Sequence, residues 1–162
     1  MENIETQKEI SKSNPKSLGA IKILLADHKL VSDLFKEYES TKSVGKKKLI
    51  VSEICKELSV HAQVEEEIFY PAFKQASKDN VLVPEATVEH ATVKDLIAQV
   101  EGKEPDGEMY DAKIKVLSEY VKHHVKEEQN EMFPKAKESK LDLIELGTKI
   151  ASRKAELMLN RT

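Results

Sequence analysis

Apolar residues recur every three or four positions along most of this 162-residue chain. This spacing is typical of amphipathic helices that pack against one another along an apolar face. The four stripes are Ile21, Leu24, His28, Val31 and Phe35; Ile54, Leu58, His61, Glu65, Ile68 and Ala72; Ala86, His90, Val93, Ile97 and Val100; and Ile114, Leu117, Val121, His124, Glu128 and Met132. The pattern predicts an all-α fold, an up-down antiparallel four-helix bundle.

Proline and glycine positions indicate where these helices begin and end. Pro15 opens the first helix, which is expected to end near Ser40. Pro71 lacks the amide that would bond to a carbonyl one turn earlier, so the second helix should bend or end there. Pro84 fits the first turn of the third helix. The glycine-containing segment 102–107 is the strongest break in the chain and precedes the fourth helix.

A further apolar stripe predicts an additional C-terminal helix, at about residues 142–160, that covers the side or end of the bundle. It is formed by Leu143, Leu146, Ile150 and Leu157. The first residues of the chain are polar and offer little to bury. We therefore expect a flexible N-terminal tail over residues 1–15 and one folded domain over residues 16–162.

Six positions of these stripes carry polar side chains where aliphatic ones would be expected: His28, His61, Glu65, His90, His124 and Glu128. All six should point into the core at about one level. Burying two carboxylates and four imidazoles without compensation would cost many kcal/mol. A bound cation would compensate them, so the sequence predicts a metal site.

An internal repeat strengthens this interpretation. His28 and His90 are 62 residues apart, and His61 and His124 are 63 apart, as are Glu65 and Glu128. A single histidine on an apolar stripe is more often a hydrogen-bonded core residue, but a repeated set of six is hard to obtain that way. The alternative, a helical interaction module with satisfied core histidines, predicts that chelation leaves the melting temperature unchanged.

Imidazole and carboxylate ligands together suit iron or manganese and tolerate zinc. Six protein ligands would saturate a single ion, so the ligand count favours two. His123 lies about 100° around the helix from His124 and is expected at the surface or in a supporting role, with ligation as the alternative. Glu89, directly before His90, is expected to support an imidazole. Cys55 should pack in the core, and four carboxylates are expected to be solvated: Glu66, Glu67, Glu127 and Glu131.

Composition limits the remaining function classes. The formal charge is −3 and basic residues are spread along the chain, so no stripe indicates a nucleic-acid partner. No apolar run is long enough to span a membrane, and we expect no membrane association. A lone cysteine fits a reducing compartment, so the predicted location is cytoplasmic. The sequence identifies no protein partner.

The motifs resemble those of the hemerythrin-like HHE cation-binding domain, over about residues 18–160. They are His28 alone on the first helix, His61-x3-Glu65 with Phe69-Tyr70-Pro71, Glu89-His90, and His124-x3-Glu128 with Met132-Phe133-Pro134. The resemblance implies two iron ions in an oxo- or hydroxo-bridged non-haem di-iron centre, with Glu65 and Glu128 as bridging carboxylates and manganese or zinc as substitutes.

The resemblance also implies a function. The chain is expected to bind or sense O2 or a related small diatomic or peroxide ligand. The alternatives are a di-iron enzyme handling peroxide or nitric oxide, and an iron–sulfur cluster repair or iron donor protein. Oxygen carriers of the family have a further histidine at the position of Lys94. This departure favours reactivity toward peroxide or nitric oxide, or iron release, over reversible oxygen carriage.

Overall fold

The computed structural model describes residues 19–161, which form an antiparallel four-helix bundle with an additional C-terminal helix. The elements are α1 (Ala20–Ser40), α2 (Val44–Val64), π1 (Glu65–Phe69), α3 (Tyr70–Ser77), α4 (Leu82–Val100), α5 (Glu108–Glu127), π2 (Glu128–Met132), α6 (Phe133–Glu138) and α7 (Leu143–Asn160). The predicted fold class is confirmed. The predicted tail and the expected helix start at Pro15 lie outside the described residues.

Sequential helices pair in space, as short connections require. The helix α1 packs on α2, and α4 packs on α5. The helix α7 packs against both α1 and α2 and therefore covers one side of the bundle. Its first turn is capped by the Asp142 carboxylate, which accepts from the Glu145 amide at 3.0 Å. Within residues 19–161, no helix is both long and apolar enough to cross a membrane.

Two of the four bundle helices contain a π-helical turn that ends two residues before a proline. In π1 the amide of Tyr70 bonds to the carbonyl of Glu65, and in π2 the amide of Phe133 bonds to that of Glu128. The second helix therefore does not end at Pro71 but continues to Ser77. The hydrogen bonds shift by one residue around the amide that proline lacks. Such turns place residues five apart on one face, and they often lie at functional sites.

Two apolar clusters fill the bundle, one on each side of the predicted polar layer. The first includes Leu24, Val64, Ala86 and Met132, and the second includes Val31, Leu58, Val93 and Val121. On each of the four long helices, the predicted polar residues fall where the helix passes from one cluster to the other. Cys55 is fully buried in the second cluster, and burial raises the pKa of its thiol to about 12.

The covering helix α7 offers a matched test of the packing. Ile150 is fully buried, whereas Ile144 on the same helix is 58% exposed. We expect Ile150→Ala to lower the free energy of unfolding by about 2–5 kcal/mol, because it leaves a cavity against α1 and α2. Ile144→Ala should change it by no more than about 0.5 kcal/mol. Urea denaturation of both variants measures the difference, and equal effects would contradict the placement of α7.

Candidate metal centre

The six predicted residues meet in one buried layer of the bundle. The helix α1 supplies His28, α2 supplies His61, α4 supplies His90 and α5 supplies His124, while the two π-turns supply Glu65 and Glu128. None of the six is more than 8% exposed, and Glu65 is completely buried. Six polar side chains thus share a volume from which solvent is excluded.

Their inner atoms form two groups that share one carboxylate. The first group is His28, His61, Glu65 and Glu128, and the second is Glu65, His90 and His124, with the candidate ligand atoms of each group within 4.8 Å of one another. The Oε1 atom of Glu65 lies 3.1 Å from His61 Nε2 and 3.2 Å from His90 Nε2. His28 Nε2 lies 3.1 Å from Glu128 Oε1, and His124 Nε2 lies 3.3 Å from Glu128 Oε2. Both carboxylates therefore contact histidines of both halves of the repeat.

All four imidazoles point Nε2 inward because an acceptor faces Nδ1 on the outside. The four Nδ1 contacts are His28 with Gln129 Oε1 at 3.2 Å, His61 with Asp27 Oδ2 at 2.9 Å, His90 with Glu66 Oε2 at 3.3 Å and His124 with Glu89 Oε1 at 2.9 Å. A metal-binding imidazole almost always has such an acceptor, which fixes its tautomer and orientation. The arrangement leaves the inner nitrogens available as ligands.

Several inner atoms lack the hydrogen bonds that buried polar groups normally make. Within residues 19–161, four atoms of this layer have no hydrogen-bond partner of acceptable geometry: His28 Nε2, His61 Nε2, Glu65 Oε2 and Glu128 Oε1. Without a bound cation, burying each of these atoms would destabilise the fold, because the atom loses its hydrogen bonds to water and gains none in the protein. Nitrogen and carboxylate donors of this kind fit first-row divalent metals. The described residues therefore suit a bound metal cation.

A tyrosine that the sequence analysis did not select lies at the middle of this layer. The Tyr70 hydroxyl donates to Glu128 Oε2 at 2.6 Å and lies 3.2 Å from Glu65 Oε1. It is also 3.2 Å from the Nε2 atoms of His90 and His124. Burial, together with Glu65 and Glu128, raises the pKa of Tyr70 well above its usual value. Tyr70 is therefore a neutral phenol that holds a proton against both carboxylates.

The buried charges compensate one another strongly. Burial alone would lower the pKa of His124, but Glu128 and Glu89 raise it to about 10. Burial would likewise lower the pKa of His61, but Glu65 and Asp27 hold that pKa well above its usual value. For the Glu128 carboxyl, burial would raise the pKa, but His124 and His28 hold it well below its usual range. Metal binding must displace these imidazole protons, so metal affinity should fall as the pH falls.

The structure corrects one expectation about the acidic residues around the centre. Glu66 was expected to be solvated, but its side chain is only 30% exposed, and it accepts from His90 and from Lys94 Nζ at 2.6 Å. The reason is that its turn lies against α4, where Lys94 reaches across. Glu89 does support an imidazole, but that imidazole is His124 on α5 rather than the adjacent His90.

The structure also shows where the other selected polar residues lie. His123 is 62% exposed, and it lies 3.3 Å from Glu89 and 3.1 Å from Glu127. Glu67 pairs at the surface with Arg153 of α7 at 2.8 Å. Glu131 is exposed, as expected.

Asp27 and Lys154 were not expected near the centre. The buried Asp27 carboxylate joins His61 to the ammonium of Lys154 on α7. Burial would raise the pKa of Asp27, but His61 and Lys154 hold it below its usual value. Asp27 occupies the same place in the repeat as Glu89, 62 residues later. Because Glu89 is expected to support an imidazole, this correspondence would have predicted the same role for Asp27. The covering helix thus contributes a charge to the surroundings of the centre.

A bundle with inward-facing histidines and glutamates defines a class of cation-binding helical proteins. Comparison with known proteins gives the family: residues 19–136 match the Hemerythrin HHE cation binding domain. The chain belongs to this family.

Two known proteins are similar to this chain. A solved hemerythrin HHE cation binding domain-containing protein from Mycobacterium kansasii has the same fold, with a TM-score of 0.75 and 24% identity over 88% of this chain and 89% of that one. A protein described as a DNA nickase from a Nostoc species is 25% identical over 121 residues. That match spans 75% of this chain but only 34% of the Nostoc protein.

The contact between Asp27 and Lys154 can be tested directly. Lys154→Met should lower the free energy of unfolding of chelator-treated protein by about 1–3 kcal/mol, because a buried carboxylate loses its cationic partner. The matched control is Lys149→Met on the same helix, whose side chain is 63% exposed. It should have an effect of no more than about 0.5 kcal/mol. Denaturant titration measures both, and an equal loss in the control would contradict the assigned contact.

Proposed function

We propose that this protein holds two iron ions in the buried layer and uses them to bind or sense O2 or a related small oxidant. The observation that carries the proposal is the set of buried nitrogen and oxygen atoms that face one another without hydrogen-bond partners. The proposed ligands are His28, His61, Glu65, His90, His124 and Glu128. Manganese and zinc would fit the same donors as substitutes for iron.

The two groups that share Glu65 suggest how the ions would be divided. His28 and His61 would hold one ion, while His90 and His124 would hold the other. Glu65 and Glu128 would serve both, because each contacts histidines from the two halves of the repeat. The Tyr70 hydroxyl lies between the second pair of histidines and both carboxylates. It offers one further oxygen at that position.

A cavity beside the centre limits the size of the ligand. It has a volume of about 30 Å³ and touches all four histidines of the layer, and its other walls are mostly aliphatic: Val31, Leu58, Ala62, Val93, Val121 and Val125. A cavity of this size holds about two water-sized molecules. An organic substrate would not fit, whereas O2, nitric oxide or a peroxide would.

The chain's own residues would give this ligand its surroundings. When bound, the iron pair would supply reversible coordination and electron exchange. The aliphatic walls exclude bulk water, which strengthens electrostatic interactions inside the site. The Tyr70 hydroxyl keeps its proton and donates a hydrogen bond to Glu128 Oε2 at 2.6 Å. The outer acceptors keep the four imidazoles oriented while the ligand binds and leaves.

A second candidate is an enzyme that turns over peroxide or nitric oxide at the same centre. Two observations favour it: the Tyr70 hydroxyl, which donates a hydrogen bond inside the layer, and Lys94, which stands where oxygen carriers of the family have a histidine and pairs instead with Glu66. A cytoplasmic location stays a prediction.

The nickase activity named for the Nostoc relative is not part of the proposal, because the shared region is 34% of that protein.

Metal analysis tests the ligand assignment. After anaerobic reconstitution with Fe²⁺ and gel filtration, the wild-type protein should retain about two irons per chain, as its two ligand groups imply. Glu65→Ala and His124→Ala should each lose most of the iron, because each removes a ligand that the proposed centre needs. His123→Ala is the control and should retain nearly all of it, since His123 lies outside the layer. Equal losses in all three variants would contradict the assignment.

Ligand assays separate binding from turnover. If the protein is a carrier or sensor, exposing the reduced, iron-loaded protein to O2 or nitric oxide should change its visible spectrum at a stoichiometric amount of ligand. Hydrogen peroxide should then not be consumed continuously. Sustained consumption that is lost in Glu65→Ala would favour the enzyme. Absence of any spectral change with O2, nitric oxide and peroxide would contradict both candidates.

A further inference from the structure

Three carboxylates and a histidine gather at the surface where α4 faces α5, outside the buried layer. His123 Nε2 lies 3.3 Å from Glu89 Oε2 and 3.1 Å from Glu127 Oε1, and the three residues present ligand atoms within 4.8 Å of one another. We call these three residues the surface cluster. Glu85, one helical turn before Glu89, lines the same surface depression of about 570 Å³.

The surface cluster is joined to the buried centre by a continuous set of side chains. Glu85, Glu89 and Glu127 line the depression, and the same three line a narrow gap of about 10 Å³ on its inner side. The gap ends on His124 and Glu128 of the buried layer. Glu128 is 2% exposed, and its Oε2 lies 3.3 Å from Nε2 of His124, whereas its Oε1, which has no hydrogen-bond partner within residues 19–161, lies 3.1 Å from Nε2 of His28.

Glu89 contacts both the buried layer and the surface cluster. Its Oε1 accepts from His124 Nδ1 at 2.9 Å, while its Oε2 faces His123. His123 and His124 are neighbours in sequence on α5, and one lines the depression while the other lines the gap. A cation held by the surface cluster would therefore be one carboxylate away from a proposed ligand of the centre.

Two other cavities that reach the buried layer suit a cation less well. The cavity of about 30 Å³ has mostly aliphatic walls, through which a charged ion passes only at high cost. A groove on the His28 side is lined by Lys122 and Lys126, which repel cations. The gap behind the surface cluster is lined by four carboxylates instead, those of Glu85, Glu89, Glu127 and Glu128. Clefts lined by one sign of charge concentrate ions of the opposite sign.

We propose that Glu89, His123 and Glu127 form a separate surface site for a divalent cation, through which Fe²⁺ reaches the buried centre. One imidazole nitrogen and two carboxylates are donors that Fe²⁺ and Mn²⁺ accept. The site is exposed and has few protein ligands, so it should bind weakly and exchange its ion quickly. The loading role rests on the proposed di-iron function, whereas the surface site itself does not.

The rate of iron loading tests the route. Metal-free protein is mixed anaerobically with limiting Fe²⁺, and uptake is stopped at intervals with a chelator. The double variant His123→Ala/Glu127→Gln should reach the same final iron content as the wild-type protein, several-fold more slowly. Glu119→Gln is the control, because it removes a carboxylate from an exposed position of the same helix. It should load at the wild-type rate. Equal rates for double variant and wild type, or equal slowing in the control, would overturn the route.

Mn²⁺ binding tests the surface site by itself. At saturating Mn²⁺, iron-loaded wild-type protein should remove one equivalent per chain from the electron paramagnetic resonance signal of free Mn²⁺, and the double variant should lose this effect. If wild-type protein binds no Mn²⁺ at this position, the surface site is wrong. If wild-type protein fails to retain iron but still binds one Mn²⁺ that the double variant does not bind, the di-iron proposal fails and the surface site stands.

Discussion

The structure depends on one constraint: four imidazoles must present Nε2 to a common interior in which two carboxylates are already buried. A helical bundle can bury such groups only if each outer nitrogen has an acceptor and each inner atom has an electrostatic partner. Gln129, Asp27, Glu66 and Glu89 provide the acceptors. The apolar clusters on either side keep water away, so the interactions inside the layer act at low dielectric.

The acceptors follow the internal repeat, as do the proposed ligands. Asp27 and Glu89 are 62 residues apart, and they face His61 and His124, which correspond to each other. Glu66 and Gln129 are 63 apart, and they face the corresponding pair His90 and His28. Each acceptor stands next to one proposed ligand in sequence but bonds to a ligand on another helix. The repeat therefore describes the surroundings of the centre together with its ligands.

The helices and the buried layer could be predicted because both follow from spacing alone. A stripe with spacings of three and four fixes which residues face the core, and polar residues on that stripe must meet there. Tyr70 could not be found in this way. In a regular α-helix it would lie about 140° around the axis from Glu65. The π-turn Glu65–Phe69 changes the winding and brings the Tyr70 hydroxyl to the Glu65 carboxylate.

The spacing of apolar residues also does not predict contacts between segments that are distant in sequence. Lys154 lies 127 residues from Asp27, and the pair forms because α7 covers α1 and α2. The stripe of α7 predicts its apolar face, but no periodicity states which helix that face will cover. The spacing predicts a solvated Glu66 for the same reason: it does not show which helix lies opposite this side chain. Its partners His90 and Lys94 are on α4, and only the packing of the two helices brings them together.

The charges around the centre are distributed unevenly, because the carboxylates on its different sides have different cationic partners. Two divalent ions would bring four positive charges, of which Glu65 and Glu128 offset two. Three of the outer acceptors are carboxylates. Asp27 is paired with Lys154 and Glu66 with Lys94. Within residues 19–161, Glu89 meets the imidazoles of His123 and His124 and no lysine. Of the three, Glu89 is therefore the one whose charge no lysine offsets in the described residues, and with Glu85 and Glu127 it makes the interface of α4 and α5 an acidic side of the bundle.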